Sequence, residues 1–321
     1  MANRYWVGGT GSWTDTAHWS TTSGGTGGSS VPNGDYVYFD ANSGSGAVTF
    51  DANMTVSDIN MTGYAGTFSG SGNLYYGAGK PTAVGKFCNA SGLQNLTVYA
   101  YQGTLDCNGG TLYNVYCGQS GGSLALAGNF SGRTFNINRG TVSTGAYDVS
   151  AQYLGIDSGV VSFSMGSGIY TITNSIIATG VSSSAVSPGT SIINFSGSNI
   201  SGGSPTFNTL YVNSSCNISS SPTFNNLLSN ATSNISITAS IGTTITITNS
   251  FVSGNSIALV SIFASSGGWS LSTPTNTVVS RLSIRNCTLT SGNLICQNSI
   301  DAGSNVGNFV FYNSSGALAL F

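Results

Sequence analysis

The sequence predicts an all-β protein wound as a right-handed parallel β-helix, a solenoid with about 17 to 20 residues per rung and an N-terminal cap. Three observations predict this fold. The composition is poor in helix formers, short runs alternate between apolar and polar residues, and the chain contains internal repeats that are much shorter than a domain.

The composition argues against helices. Of 321 residues, seven are Lys or Arg and nine are Asp, and there is no Glu. Ser, Thr and Asn fill the positions between apolar residues, and these side chains compete with a helical backbone for hydrogen bonds. Fifteen Tyr and fifteen Phe also exclude a disordered chain, because disordered segments lack aromatic residues. The composition therefore indicates a folded β protein.

The alternating runs predict half-buried strands. In TITIT (244–248) and ISIT (235–238), Ile would point to one face of the strand and Ser or Thr to the other. A repeat of under 20 residues is too short for a propeller blade, which needs about 40. It can form one rung whose apolar side stacks on the next rung.

The repeats set the length of a rung. SPTFNTL (204–210) returns as SPTFNNL (221–227) at an offset of 17. CNASGLQNL (88–96) matches CNGGTLYNV (107–115) at an offset of 19, which places Asn95 on Asn114. GTLD from Gly103 matches GTVS from Gly140 at an offset of 37, or two rungs. We therefore predict a solenoid body over residues 46–321, with a closing segment at about 257–321.

The first 45 residues are predicted to cap this body. Three tryptophans, Trp6, Trp13 and Trp19, lie among glycines in a segment that does not repeat. The open end of a solenoid exposes unpaired backbone and core, so a cover is required. Pro32 and Asp35 mark a turn that leads into the predicted first strand at 36–39.

Candidate catalytic residues are few. His18 could act as a general base, but its only nearby acids are Asp15 and the more distant Asp35, so packing is the favoured role. Other carboxylates that could pair are dispersed, and turn or capping roles are favoured for them: Asp51, Asp58, Asp106, Asp148 and Asp157. We predict no catalytic residue, no cofactor and no metal ligand, and therefore no enzyme.

The six cysteines are sparse and form no C-x-x-C pair, which argues against simple zinc and redox sites. Buried free thiols are the favoured interpretation for Cys88, Cys107, Cys117, Cys216, Cys287 and Cys296. A disulfide between Cys88 and Cys107 on neighbouring rungs, or between Cys287 and Cys296, is the alternative.

Charge and hydropathy limit the partners. The formal net charge is −2 and the seven cations are scattered, so no basic stripe could follow a nucleic-acid backbone. The start MANRYWVGG has no apolar signal-peptide core, and no apolar run is long enough to span a bilayer. We expect a chain made in the cytoplasm, with no membrane insertion.

Both ends resemble known proteins. The pattern Trp6-x-Gly-Gly-x-Gly-x-Trp13, followed by Trp19, Pro32 and Asp35, resembles the opening of bacterial and bacteriophage β-helical surface proteins. The C-terminal part (257–271 and 278–311) is similar to a segment of phage virion proteins. The matching residues are Asn298, Ser299, Asp301, Gly303, Asn305, Gly307 and Phe311, whereas Ala302, Val306 and Asn308 depart from the pattern.

The resemblance implies a non-enzymatic structural protein on the surface of a bacteriophage particle, as a head-decoration or tail-fibre component made in the host bacterium. It further implies a homotrimer that contacts other virion proteins and can meet host surface glycans. Two alternatives stay open. A glycan-binding or glycan-cleaving phage spike would show paired carboxylates or stacked aromatics. A bacterial surface adhesin would need a secretion signal and an outer-membrane barrel.

Overall fold

The computed structural model describes residues 1–252, 258–264 and 266–312. The chain is all-β, with 53% strand and 4% helix, and forms a parallel β-solenoid of about 13 turns with about 20 residues per turn. The predicted fold class is therefore confirmed. The chain divides into two compact units, Met1–Ala151 with Gly159–Ser164, and Gln152–Ser158 with Met165–Phe321.

The first unit holds fourteen strands and part of a fifteenth, and its 3-10 helices are Thr16–His18, Ala41–Ser43 and Leu93–Asn95. The strands are β1 (Asn3–Trp6), β2 (Gly11–Ser12), β3 (Trp19–Ser20), β4 (Asp35–Tyr38), β5 (Ala47–Phe50), β6 (Met54–Asn60), β7 (Thr67–Gly70), β8 (Asn73–Tyr76), β9 (Val84–Lys86), β10 (Thr97–Ala100), β11 (Gly103–Asp106), β12 (Leu112–Cys117), β13 (Ser123–Leu126), β14 (Phe130–Ser143) and, shared by both units, β15 (Val149–Ser164).

The second unit continues the pattern and includes the 3-10 helix Ser183–Ala185. Its strands are β16 (Ile169–Ala178), β17 (Val186–Ser187), β18 (Ile192–Phe195), β19 (Asn199–Gly202), β20 (Thr206–Val212), β21 (Cys216–Ile218), β22 (Thr223–Leu228), β23 (Ile235–Ala239), β24 (Thr244–Val252), β25 (Val260–Phe263), β26 (Trp269–Ser272), β27 (Thr277–Ser280), β28 (Leu282–Arg285), β29 (Cys287–Ser291), β30 (Leu294–Gln297), β31 (Ile300–Asp301) and β32 (Phe309–Tyr312).

Each rung pairs in parallel with the next, and alternate side chains point inward. Along β8, β10, β12 and β14 the inward row is Leu74, Val98, Val115 and Phe135, all fully buried. Burial of each such side chain contributes about 1.5–3 kcal/mol. The outward row beside it is polar or aromatic, so strand alternation alone separates the core from the surface.

The strand pairing confirms one of the three alignments predicted from the repeats and corrects the other two. β20 pairs with β22 so that Phe207 faces Phe224, as the SPTF repeat predicts. The other two alignments are wrong by two residues. Asn114 pairs with Thr97 rather than standing on Asn95, because the first copy also contains the 3-10 helix Leu93–Asn95 in its corner. The GTLD repeat places Thr104 over Thr141 two rungs on. In the structure Thr104 pairs with Ala125, and Ala125 pairs with Ser143.

The N-terminal segment contributes strands to the ladder. β1 runs parallel to β4, with Tyr5 facing Tyr38, and β2 runs parallel to β5. β3 folds back antiparallel to β1 and brings Trp19 opposite Trp6. The strand predicted at 36–39 is present as β4 (Asp35–Tyr38), but it is not the first strand, because β1 already pairs along its edge.

Candidate functional site

The three predicted cap tryptophans form one buried cluster, which we call the aromatic plug. Trp6, Trp13 and Trp19 are at most 1% exposed. The Trp19 ring meets Trp13 edge-on at 4.7 Å between centroids and Trp6 at 5.3 Å, and all three rings contact Phe39. Trp19 Nε1 donates to the Trp13 carbonyl at 2.7 Å. The indole N–H of Trp19 is thereby satisfied inside an apolar core.

His18 belongs to the same cluster. Its ring stacks flat on Trp6, with 4.7 Å between centroids and 8° between planes. Nδ1 lies 2.9 Å from the Val7 carbonyl, and Nε2 lies 3.7 Å from an Asp15 carboxylate oxygen. A Cβ at Gly11 would stand 2.1 Å from Nε2, so the site requires glycine there. These contacts favour packing over general-base catalysis for His18.

The other two predicted cap residues lie away from the tryptophans. Pro32 is buried before β4. Asp35 accepts the Ala2 N–H at 2.8 Å and pairs with Arg4 at 3.2 Å, which ties the start of β1 to β4. Burial raises the pKa of the Asp35 carboxyl, but the Ala2 hydrogen bond and the Arg4 charge outweigh burial and leave the pKa below its ordinary 3.8.

Most carboxylates hold the backbone or a neighbouring side chain. Asp51 accepts from Thr14, whereas Asp58 accepts from Lys80 and from the Val84 N–H, so the two are not brought together. Others accept from an N–H two residues on: Asp15 from Ala17, Asp40 from Asn42, Asp106 from Asn108 and Asp301 from Gly303. Such bonds are typical of turns and caps.

All six cysteines are buried and free, so the core-thiol prediction is confirmed. Burial raises the pKa of Cys107, Cys216, Cys287 and Cys296 to about 12. A thiol with so high a pKa carries almost no thiolate at neutral pH, so these side chains act as small apolar groups.

Sequence reasoning missed an outward row of tyrosines, which we call the tyrosine ladder: Tyr75, Tyr99 and Tyr116. These residues occupy equivalent positions on β8, β10 and β12. Tyr99 stacks on Tyr75 at 4.6 Å and on Tyr116 at 5.0 Å between centroids. Because Tyr99 is stacked on both faces, the middle of the ladder presents ring edges rather than free ring faces. The signal was a Tyr between two inward residues in each strand.

We expect Tyr99→Ala to lower the free energy of unfolding about twice as much as Tyr116→Ala. Tyr99 loses two ring stacks and Tyr116 one, each worth about 0.5–1.5 kcal/mol. Chemical denaturation measures both losses. Tyr147→Ala, at a partly exposed tyrosine of the same unit, is the control. Equal losses at positions 99 and 116 would show that stacking does not set the stability of the ladder.

The C-terminal motif residues bind the last described turn to the preceding one. The Ser299 hydroxyl accepts the Leu282 N–H at 3.1 Å. The Asn305 side chain accepts the Cys287 N–H and donates to the Ile284 carbonyl and to Asp301. Gly307 has φ of +121° and would place a Cβ 2.7 Å from Leu289. The motif thus forms a set of hydrogen bonds between rungs.

A second surface that the sequence patterns did not predict lies in the second unit, and we call it the serine cleft. It is a cleft of about 320 Å³ lined by Ser236, Ser261, Ser283, Phe263, Arg285 and Ala302. The three serines occupy the same register position on β23, β25 and β28. Arg285 is exposed, and its guanidinium carbon lies 5.3 Å from the Phe263 ring centroid. The cleft combines hydroxyls, an aromatic ring and one positive charge.

In the described part of the chain, no group of three His, Cys, Asp or Glu residues is placed to hold a metal ion. Across residues 1–252, 258–264 and 266–312, no helix has the length and apolarity needed to cross a membrane. No family model, curated protein or solved structure matches the chain.

Proposed function

We propose that this chain is a non-enzymatic structural protein on the surface of a bacteriophage particle, as a head-decoration or tail-fibre component. The resemblance of its two ends to phage β-helical proteins motivates the phage setting. The observation that carries the structural role is the use of the carboxylates. Those of Asp15, Asp35, Asp40, Asp51, Asp58, Asp106 and Asp301 all accept hydrogen bonds that fix turns or neighbouring rungs.

The chemistry of glycan cleavage supports the same proposal. Acid–base cleavage of a glycosidic bond needs two carboxyl groups about 5–10 Å apart that hold different protonation states. Asp51 and Asp58, the closest acidic pair weighed from the sequence, bind Thr14 and Lys80 respectively. Each carboxylate is therefore held by a different neighbour, and the two do not form such a pair.

We further propose that the protein assembles as a homotrimer and that this trimer contacts other virion proteins. The surface carries few charges, so little repulsion opposes the approach of neighbouring copies. Three copies around an axis would place the exposed Ser, Thr and Asn rows against one another.

The test begins with purified particles from the lysate of a host that carries the gene. We expect quantitative mass spectrometry of these particles to find the chain in many copies per particle. Light scattering of the purified protein should give three times the 32.6 kDa chain mass. Incubation with host surface polysaccharide should release no new reducing ends. Absence from particles would refute the virion assignment. Cleavage that is lost in Asp51→Asn or Asp58→Asn would refute the non-enzymatic role.

A glycan-binding surface protein is the second candidate, and the serine cleft favours it. The tyrosine ladder favours it less, because each inner ring face is covered by its neighbour at 4.6–5.0 Å. A saccharide stacks on a free ring face, which the middle of the ladder does not offer.

A further inference from the structure

The serine cleft holds the Arg285 guanidinium, which has no charged partner among the described residues. The ion pairs that join Arg4 to Asp35, His18 to Asp15 and Lys80 to Asp58 lie in the first unit. Within the described ranges, Arg285 makes neither an ion pair nor a side-chain hydrogen bond. Its contact with the Phe263 ring fixes the flat guanidinium and leaves the N–H edges open. A planar N–H edge of this kind matches a carboxylate bidentately.

The floor of the cleft is a row of hydroxyls. Ser236, Ser261 and Ser283 stand on consecutive rungs, about 4.8 Å apart, and are half-buried. Their hydroxyls make no hydrogen bond to any described residue. Elsewhere outward side chains bond from rung to rung, as Thr49 does to Ser69 and Ser272 to Ser291. The serine row therefore keeps its donors and acceptors available to a ligand.

Size and charge define the ligand class. A volume of about 320 Å³ is near the lower end of small-molecule sites, so the cleft takes a short segment rather than a folded partner. One guanidinium matches one carboxylate, whereas phosphate sites generally add helix N-termini or several cations. A neutral sugar would leave the guanidinium unpaired. A hexuronic acid has several hydroxyls next to one carboxylate, so it is the ligand class that fits the cleft.

We propose that the serine cleft binds a uronic-acid unit of an acidic saccharide. Arg285 pairs with the sugar carboxylate, the serine row bonds the sugar hydroxyls, and Phe263 holds the guanidinium in place. The site goes beyond the structural role and does not depend on it, since a chain absent from phage particles would keep the same cleft.

The experiment titrates the 321-residue chain with a tetrasaccharide of alternating glucuronic acid and N-acetylglucosamine, and follows backbone amide shifts by NMR. We expect saturable shifts centred on β23, β25 and β28. A neutral N-acetylglucosamine tetrasaccharide should produce no saturable shifts there, and acetate and inorganic phosphate should bind at least about tenfold more weakly.

Variants of the cleft sharpen the test. Arg285→Gln should weaken binding of the acidic tetrasaccharide at least about tenfold, because it removes a charged hydrogen-bond donor. Arg285→Lys keeps the charge without the planar edge and should give an intermediate affinity. Arg139→Gln removes the same charge from an exposed position of the first unit and should bind as the parent does. Both positions are exposed, so both proteins should fold, which circular dichroism checks.

Three results would overturn the proposal. They are equal affinity of the parent and Arg285→Gln, equal affinity for acidic and neutral tetrasaccharides, and an affinity for acetate or phosphate that equals the affinity for the acidic tetrasaccharide. The last result would leave a simple anion site. None of the three bears on whether the chain is present in phage particles, which the mass-spectrometric test addresses separately.

Discussion

Trp13→Ala is expected to lower the free energy of unfolding by about 3–5 kcal/mol, a loss typical of large-to-small changes at buried aromatic residues. The Trp13 ring is 1% exposed and contacts Trp19, Phe39 and Phe50. The bond from Trp19 Nε1 ends on the backbone carbonyl of Trp13, so the alanine variant keeps that acceptor. The substitution therefore tests packing in the aromatic plug, with little loss of hydrogen bonding.

The same variant is expected to self-associate. A cavity in the plug loosens β1 and β2, which pair with β4 and β5, and exposed strand edges pair with other chains. Chemical denaturation measures the stability loss, and size-exclusion chromatography with light scattering measures association. Tyr147→Ala, at a partly exposed ring of the first unit, is the matched control. A Trp13→Ala protein that melts and elutes as the parent does would show that the plug is dispensable.

Stability is expected to fall steeply in alkaline solution. Burial raises the pKa of Tyr64 and Cys107 to about 12, and raises the pKa of the fully buried Tyr76 well above its ordinary value of 10.0. A group with a raised pKa favours the neutral form in the folded state. Its contribution is complete below the unfolded-state pKa, 9.0 for thiols and 10.0 for tyrosines, and is lost as the pH rises toward the folded-state pKa.

Thermal melting under reducing conditions checks this expectation. The melting temperature should be nearly constant from about pH 7 to pH 9 and then drop as the buried thiols and phenols ionise. Tyr76→Phe removes one such phenol. It should cost about 1 kcal/mol at neutral pH, because the hydroxyl bond to the Thr104 carbonyl is lost, and it should show a shallower alkaline decline. Tyr147→Phe is the control, and identical alkaline slopes for Tyr76→Phe and the parent would contradict the assignment.

The sequence carried the fold because the solenoid is a local pattern. Alternation along a strand has a period of two, and it marks the inward Ile and Leu residues without knowledge of the partner rung. The same period explains the alignment errors at Asn95 and Gly103. A slip of two residues leaves every side chain on its correct face, so residue matching cannot detect it. Corner length, which sets the true register, varies from rung to rung.

The serine cleft was less predictable than the fold, because it depends on the register between rungs, which corner length sets. Ser236, Ser261 and Ser283 are ordinary polar residues of alternating strands, separated by corners of unequal length. Only the register places them in one row beside Arg285. The tryptophans were easier to assign, because three large apolar rings in a glycine-rich segment must be buried together. Their packing on His18 and Phe39 required the structure.

The small number of charged residues, together with the hydrogen bonding of strands between rungs, has a consequence for proteolysis. Trypsin cleaves after Lys and Arg, and the chain has seven such residues. Five of them lie within strands: Arg4, Lys86, Arg133, Arg139 and Arg285. A protease must draw an extended segment into its active site, and a strand bonded into neighbouring rungs is released only when the rungs open locally. The folded chain should therefore resist proteases that cleave after Lys and Arg, because it has few such sites and keeps most of them inside its hydrogen-bonded rungs.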